Sequence, residues 1–398
     1  MTLASVLAEH NVKHGTPLAK IVVFERGERV GKKLSSTGNG QGNVTNRAVL
    51  TAEYFTSESA EKEKISAILR AHDNEDFSAF WARRGVLLTE DERGRVYPAG
   101  RQASALTDAL RFYAAEQGIA LRTGARVTNV EKISDGFLLT YEKDGETYTC
   151  QAENVVLSVG GKAAKNFGTD GTSYALAQKF GHTVTALYPS LVQLKTETTH
   201  IKTLKGIRVA CGTLTARTPS AEYTLRGDII FTEYGVSGDA VFRISAFIAQ
   251  GIADGNTTLS IDFLPEYTKE EVLAAMQEKR NAYPSLESGE MLFGVVNNQI
   301  GRAILRRAAG DIQKAAALVK DFSLTVTGSL GFDYAQVTKG GVPFSETDDS
   351  LQSVFAKGLY FTGEVLDVDG QCGGFNLQWA YSSACAVATA LIKTSKKV

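Results

Sequence analysis

Residues 358–380 read GLYFTGEVLDVDGQCGGFNLQWA, and the order of residue types in this stretch decides the fold class. The apolar run Leu359-Tyr360-Phe361 predicts a short buried strand ending at Gly363-Glu364. Acidic residues crowd its end (Glu364, Asp367, Asp369), and Gly373-Gly374 then opens a helix of good helix formers. A carboxylate at a strand end can hold sugar-alcohol hydroxyls. A helix N-terminus carries roughly half a positive charge and can stabilise an anion such as a reduced flavin. A plain glycine loop before a core helix would not explain so many polar groups ahead of an apolar helix.

The same grammar recurs at the other end of the chain. Residues 3–10 have helical spacing, and Ile21-Val22-Val23-Phe24 predicts a short strand ending in Glu25. Such an acid suits a ribose hydroxyl, and equally an ordinary strand end. Residues 38–46 hold three glycines and three asparagines, which can present backbone N–H groups and amides to an anion or ring edge, or form a plain loop. Val155–Val159 reads as a buried parallel strand delivered onto Gly160-Gly161, where backbone can approach a flat ligand or simply turn.

Between these ends the pattern changes. Helical spacing covers about 61–82 and 102–117, a hairpin surrounds Asp91–Gly94, and Asp135-Gly136 and Asp144-Gly145 punctuate a β-meander. Residues 190–262 are β-rich, with a helix at Asp239–Ala249, and 267–320 turn helical behind a Thr268/Glu271 capping box. Short strands return after 321, and Lys393–Val398 reads as a solvated tail. α/β material at both ends with different material between implies one nucleotide-binding domain interrupted by an insertion.

Composition excludes several classes. The 398 residues are 43% hydrophobic and 22% charged, ordinary values for a globular protein, and the net charge is −1. No global field therefore recruits nucleic acid or an anionic membrane. No apolar run approaches the roughly 18 residues of a membrane span, and the start lacks a signal-peptide pattern. Four dispersed cysteines without CxxC or metal-ligand spacing point to reduced thiols in a cytoplasm and predict no metal site.

Together these segments resemble the NAD(P)/FAD-dependent oxidoreductases named for aminoacetone oxidase and the bile-acid dehydroxylation flavin reductase. Gly31–Asn43 meets the family's GKKLxxTGNGxxN, Val159-Gly160-Gly161 its TGG, and Gly363–Ala380 its GEVLDVDGxxGGFNLQWA. Arg95–Pro98 matches its GRV(F/Y)P and Gly227–Gly238 its central GExxFTxxGxSG. The resemblance implies an α/β fold in which a Rossmann-like FAD-binding domain (1–190 and 336–398) is interrupted. The interruptions are an inserted β-barrel-like domain (191–266 and 321–335) and a small helical subdomain (267–320).

The resemblance also implies roles. Glu25, with Arg26, would hold the adenosine ribose, Val127 would meet adenine through its backbone, and Lys32 and Lys33 would line the diphosphate side. Thr37, Gly38, Asn39, Gly40, Asn43 and Val44 would wrap the flavin end beside Gly160 and Gly161. Glu364 would bind the ribityl chain and Gly374, Phe375 and Asn376 would face the pyrimidine edge, with Gly363, Asp367 and Gly373 also counted as cofactor-binding. FAD is the expected cofactor and NAD(P)H a candidate donor. The expected partner is a small molecule, with neither nucleic acid nor membrane.

Three departures stand out. Gln41-Gly42 replaces the family's Arg-Cys, and Gly100 stands where Ser is usual. The family's first strand and GxGxxG turn would precede Met1. The expectation is an open sheet position beside 21–24 and 155–159 with poor flavin retention, both restored by an upstream extension. No residue stands out as general acid or base; Tyr97, Cys372 and Tyr234 are the candidates, and Cys372 also reads as a small residue in a tight loop. The expected reaction is hydride transfer between flavin and a small organic molecule, as C=C reduction by NAD(P)H or amine oxidation by O2. A cofactor-impaired remnant and an RNA-modifying flavoprotein are the alternatives.

Overall fold

Short apolar runs become strands here because each finds a parallel partner. Val22–Phe24 pairs with Ala120–Arg122, and Val155–Leu157 with the fully buried Leu359–Phe361. The second pairing joins residues some two hundred positions apart, so the Gly358–Ala380 stretch is welded to the Gly160-Gly161 segment. The two pairs are separate sheets, and no strand among the described residues joins them. The computed structural model describes residues 1–14 and 20–395 and divides into two units, Met1–Leu187 with Val337–Val398, and Tyr188–Gln336.

In the first unit the helices Thr2–His14, Ala103–Glu116 and Phe375–Ser395 accompany the parallel pairs. The meander forms from Arg126–Ile133, Gly136–Lys143 and Glu146–Ala152. Asp144 (φ 54°) and Gly145 (φ 82°) make the two-residue turn that hairpins favour. The other turn falls on Ser134-Asp135, one residue earlier than the Asp-Gly reading. Gly136 belongs to the strand at φ 141°, where a Cβ would strike the carbonyl of Ala152.

The helical stretch expected over 61–82 is two helices, Lys62–Ala71 and Asn74–Ala82. Asp73 separates them: its carboxylate accepts from the N–H groups of Glu75 (2.9 Å) and Asp76 (3.0 Å), an N-cap that starts the second helix afresh. The final helix continues through Lys393–Ser395, which the tail reading had left out, and 396–398 lie outside the described residues.

The second unit is a closed antiparallel barrel. Its strands run in the order Leu194–Thr196, Gly235–Ser237, Glu222–Phe231, Arg208–Arg217, Thr258–Asp262 and Phe322–Ser329. The helix Asp239–Asp254 buries Ala240, Val241, Ile244 and Ile248 in the same core as barrel residues Leu214, Ile229 and Ile261. Val272 and Met276 of the capped helix Lys269–Ala282, and Ile300, Ile304 and Ala316 of later helices, join that core too. The helical stretch at 267–320 thus shares the barrel's interior instead of forming a third body. The Thr268/Glu271 capping box is complete. No helix among the described residues is long and apolar enough to cross a membrane.

One shared core makes a checkable demand. Phe322, fully buried with its ring 5.6 Å from that of Phe263, should cost about 3–5 kcal/mol when replaced by Ala. Thr268→Ala should cost about 1 kcal/mol through the lost cap. In urea unfolding, barrel and helical signals should shift together in both variants; separate transitions would contradict a common core.

Candidate functional site

The site grows from the carboxylate of Glu364, just past the strand Leu359–Phe361. Its Oε1 accepts the backbone N–H of Thr338 (2.8 Å), and its Oε2 accepts from Lys33 Nζ (2.7 Å). The Thr338 hydroxyl in turn accepts from the N–H groups of Lys162 (2.7 Å) and Ala163 (2.9 Å). Gly161 fits into this junction only without a side chain: a Cβ would lie 2.7 Å from Thr338 Cβ and 3.0 Å from Glu364 Oε1. Gly363 adopts φ 73°, its N–H held by Ser383 (2.9 Å) and its carbonyl by Trp379 Nε1 (3.2 Å).

From the junction a path leads toward Glu25. Thr169 bonds the carbonyl of Gly161 and approaches Gly160. Next to it, Asp170 accepts Arg26 Nη1 at 3.2 Å on both oxygens. Burial opposes ionisation of Asp170, but hydrogen bonds from Thr172 and the Arg26 pairing outweigh it and hold the carboxyl at about 2. Glu25 accepts the N–H of Gly27 (2.6 Å), and its carbonyl accepts the N–H of Ala125, two residues before Val127. Burial lowers the Met1 ammonium while the Glu25 charge raises it, so the first helix begins near this acid.

In the other direction the path follows Lys33 along the helix Lys32–Ser36 into Thr37–Gly40. Gly38 (φ 57°) and Asn39 (φ 55°) are both left-handed, and the Gly42 N–H closes onto Thr37 O (2.9 Å). Gly40 is exposed, with open space where a Cβ would project. This loop meets the C-terminal glycines through Asn43. A Cβ on Gly38 would lie 3.0 Å from Asn43 N, and one on Gly374 would lie 2.8 Å from Asn43 Oδ1. Gly373 O accepts from Asn46 (3.1 Å).

The three glycine-rich segments and Glu364 therefore come together, in the order Arg26, Asp170, Gly160-Gly161, Glu364, Lys33, Gly38, Asn43, Gly374. Four expected contacts are spent on the protein itself. Val44 is fully buried beside Phe80 and Trp81, and its N–H bonds Val96 O, because alternation turns it to the core. Asp367 accepts from Ser57 N (3.0 Å) and its hydroxyl, anchoring a loop. Phe375 packs edge-on to Tyr54. Both ends of the Asn376 amide clamp Gly370, at 2.8 Å each.

Sequence reading missed Thr338, Asp170 and Tyr174. Glycine pairs flank the first two, Gly340-Gly341 beside Thr338 and Gly168 with Gly171 around Asp170, while nothing local marks Tyr174. The Tyr174 hydroxyl and Asn43 Oδ1 are buried without a hydrogen-bond partner, and burial together with the charges of Glu364 and Asp367 raises the Tyr174 pKa. Ser5 Oγ, in the first helix, is likewise orphaned. A polar ligand reaching Asn43 Oδ1 or the Tyr174 hydroxyl would supply what those two atoms lack, so the residues present fit an extended dinucleotide.

The profile of the family described as HI0933-like protein Rossmann domain matches residues 6–390. The chain is 34% identical to a 3-dehydro-bile acid Δ(4,6)-reductase of Clostridium scindens, over 92% of this chain and 91% of that protein. It is 28% identical to the ribosomal RNA dihydrouridine synthase of Escherichia coli, over 94% and 92%. Among solved structures, a 3-ketosteroid-Δ4-(5α)-dehydrogenase of Rhodococcus jostii RHA1 shares the fold at TM-score 0.51, 17% identity, and 98% and 94% coverage.

Two outcomes follow from the geometry. Gly161→Ala should cost about 1–3 kcal/mol by forcing Thr338 and Glu364 apart, read by chemical denaturation. Asp170 has a depressed pKa, so its contribution to stability is full above its ordinary pKa of about 3.9 and is lost as pH falls through about 2. The gap in urea midpoint between the wild type and Asp170→Asn should be constant near neutrality and close in acid. A gap that widens in acid would contradict this sign.

Proposed function

The chain belongs to the family of HI0933-like proteins with a Rossmann domain, and from that premise we propose that it is an FAD-dependent oxidoreductase reducing a C=C bond conjugated with a carbonyl. The substrate we assign is a small steroid-like enone, with NAD(P)H as electron donor and the cytoplasm as compartment. The observation that carries the reading is the ordered path from Arg26 to Gly374, long and polar at one end and glycine-lined at the other. Arg26 suits the adenosine end, the adjoining Lys33 and Glu364 suit the diphosphate and ribityl stretch, and Gly38, Asn43 and Gly374 suit the isoalloxazine. The name of the Clostridium scindens relative supports the substrate class.

Bound flavin would supply the hydride to the β-carbon of the enone. The chain's own part is to hold and polarise. Glu364, steadied by Thr338, would receive ribityl hydroxyls in place of Lys33, freeing that ammonium for the diphosphate side. The 21-residue helix Phe375–Ser395 directs its N-terminus at the Gly373-Gly374 turn, where its dipole favours negative charge on the ring edge. Tyr97 lies against the Gly38 loop, 3.6 Å from where a Cβ would stand. Burial raises its pKa, which keeps the phenol protonated, and we assign it the proton delivered to the α-carbon.

The dihydrouridine synthase relative favours the same bond chemistry on another substrate, since dihydrouridine is uridine with its conjugated C=C reduced. The net charge of −1 favours the small molecule over a polyanion.

The test is anaerobic. Flavin-loaded protein reduced with NADPH and mixed with a 4-en-3-oxosteroid should lose the enone absorbance with stoichiometric flavin reoxidation. Tyr97→Phe should slow that step by about 10²–10⁴-fold while leaving reduction by NADPH unchanged. Reduced flavin that ignores the enone would overturn the reading.

A further inference from the structure

Away from the glycine-lined path, three helices press four donor side chains together. His72 closes the helix Lys62–Ala71 and Asp76 lies in the first turn of Asn74–Ala82, while Tyr381 and Cys385 stand one turn apart on the final helix. His72 Nδ1, an Asp76 carboxylate oxygen and Cys385 Sγ all lie within 4.8 Å of one another. His72 Nδ1 is 3.4 Å from Asp76 Oδ2, which also accepts the Tyr381 hydroxyl at 2.8 Å. From these positions we propose that His72, Asp76 and Cys385 form a zinc site, with Tyr381 or a water at the fourth position.

Three arguments support it. The first is spacing. Zinc binds nitrogen and oxygen at about 2.0–2.2 Å and sulfur at about 2.3 Å in a tetrahedron, which sets ligand pairs about 3.3–3.6 Å apart. The His72–Asp76 separation already has that value, and Cys385 needs a shift of about 1 Å at most, within reach of a χ1 adjustment. The second is charge. One thiolate and one carboxylate offset Zn²⁺ exactly in number, so the site is neutral where Cys385 is buried. The third is rigidity. The carbonyl of His72 accepts from Gln378 Nε2 (2.9 Å) and Ser382 Oγ (2.5 Å), both on the final helix, so the histidine is rooted on the element that carries the cysteine. His72 and Asp76 are part-exposed, which leaves an entry route.

Burial pushes the metal-free thiol up to about 12, so zinc would enter with release of its proton, to solvent through the exposed Asp76 side. The set of one sulfur, one imidazole and one carboxylate selects zinc over magnesium or calcium, which prefer oxygen alone. The site would pin the final helix to the pair of helices bearing His72 and Asp76, a structural role separate from redox chemistry.

The test uses the full-length protein with its cofactor complement, titrated with Zn²⁺ against a chromophoric chelator. Metal content is read by mass spectrometry, and Co²⁺ serves as the optical probe in difference spectra. Wild type should bind one zinc per chain, raise its unfolding midpoint on doing so, and give a thiolate-to-cobalt charge-transfer band. Cys385→Ala should abolish the band. His72→Ala should weaken zinc binding by at least the ~10–100-fold that loss of an outer-shell partner costs. Because Cys385→Ala leaves a small cavity, the part-exposed His72→Ala decides the matter if the cysteine variant fails to fold. The control Cys211→Ala, exposed in the second unit, should bind as wild type does. Absence of stoichiometric zinc at micromolar free metal, or equal binding by wild type and His72→Ala, would overturn the proposal.

Discussion

The Glu364 carboxylate ties segments up to 331 positions apart, because Lys33, Thr338 and the Gly161 turn all close on its two oxygens. A part-buried carboxylate must find donors, and here they are a backbone N–H and an ammonium. That requirement positions the rest. Thr338 can serve Lys162 and Ala163 only while its own N–H is held, and Gly161 can pass only because neither neighbour leaves room for a methyl. Lys33 carries the helix Lys32–Ser36 with it, and so the loop that wraps Asn43. The same acid is thus a structural tie among the glycine-rich segments.

The placement of the insertion follows from where the strands end. Val155–Leu157 and Leu359–Phe361 are sequence-remote but pair directly, so the chain between them is free to leave and return. What leaves builds its own core: the barrel has no open edges, and its helices share its interior. The first unit has a separate core around Phe137, Phe361, Phe344 and Trp379. The two units thus have separate interiors.

The polarity of the site is fixed by the fold. A long helix aimed at two glycines, a buried phenol and an unpartnered asparagine oxygen are preorganised polarity, set before any substrate arrives. The exchange of Arg-Cys for Gln41-Gly42 fits the packing here, since Gly42 (φ 79°) abuts Ala103 and Leu106, where a Cβ would come within about 3 Å of both.

Much of this was legible in sequence because it is local. Period-two and period-3.6 patterns, Asp-Gly turns, the Thr268/Glu271 cap and long glycine motifs are decided by φ/ψ preference and near neighbours, so the α/β frame, a β-rich insert and the glycine segments could be read directly, while the barrel came only with the family resemblance. Contacts across the chain could not. That Val44 faces the core, that Asp367 holds Ser57 and Asn376 its own loop, and that Asp170 and Thr338 complete the path depend on which way each side chain points after the strands pair. His72 and Cys385 lie over three hundred positions apart, so no spacing rule could join them. Local conformational preference is written residue by residue, whereas the meeting of remote donors is a property of packing, and only the tertiary structure decides it.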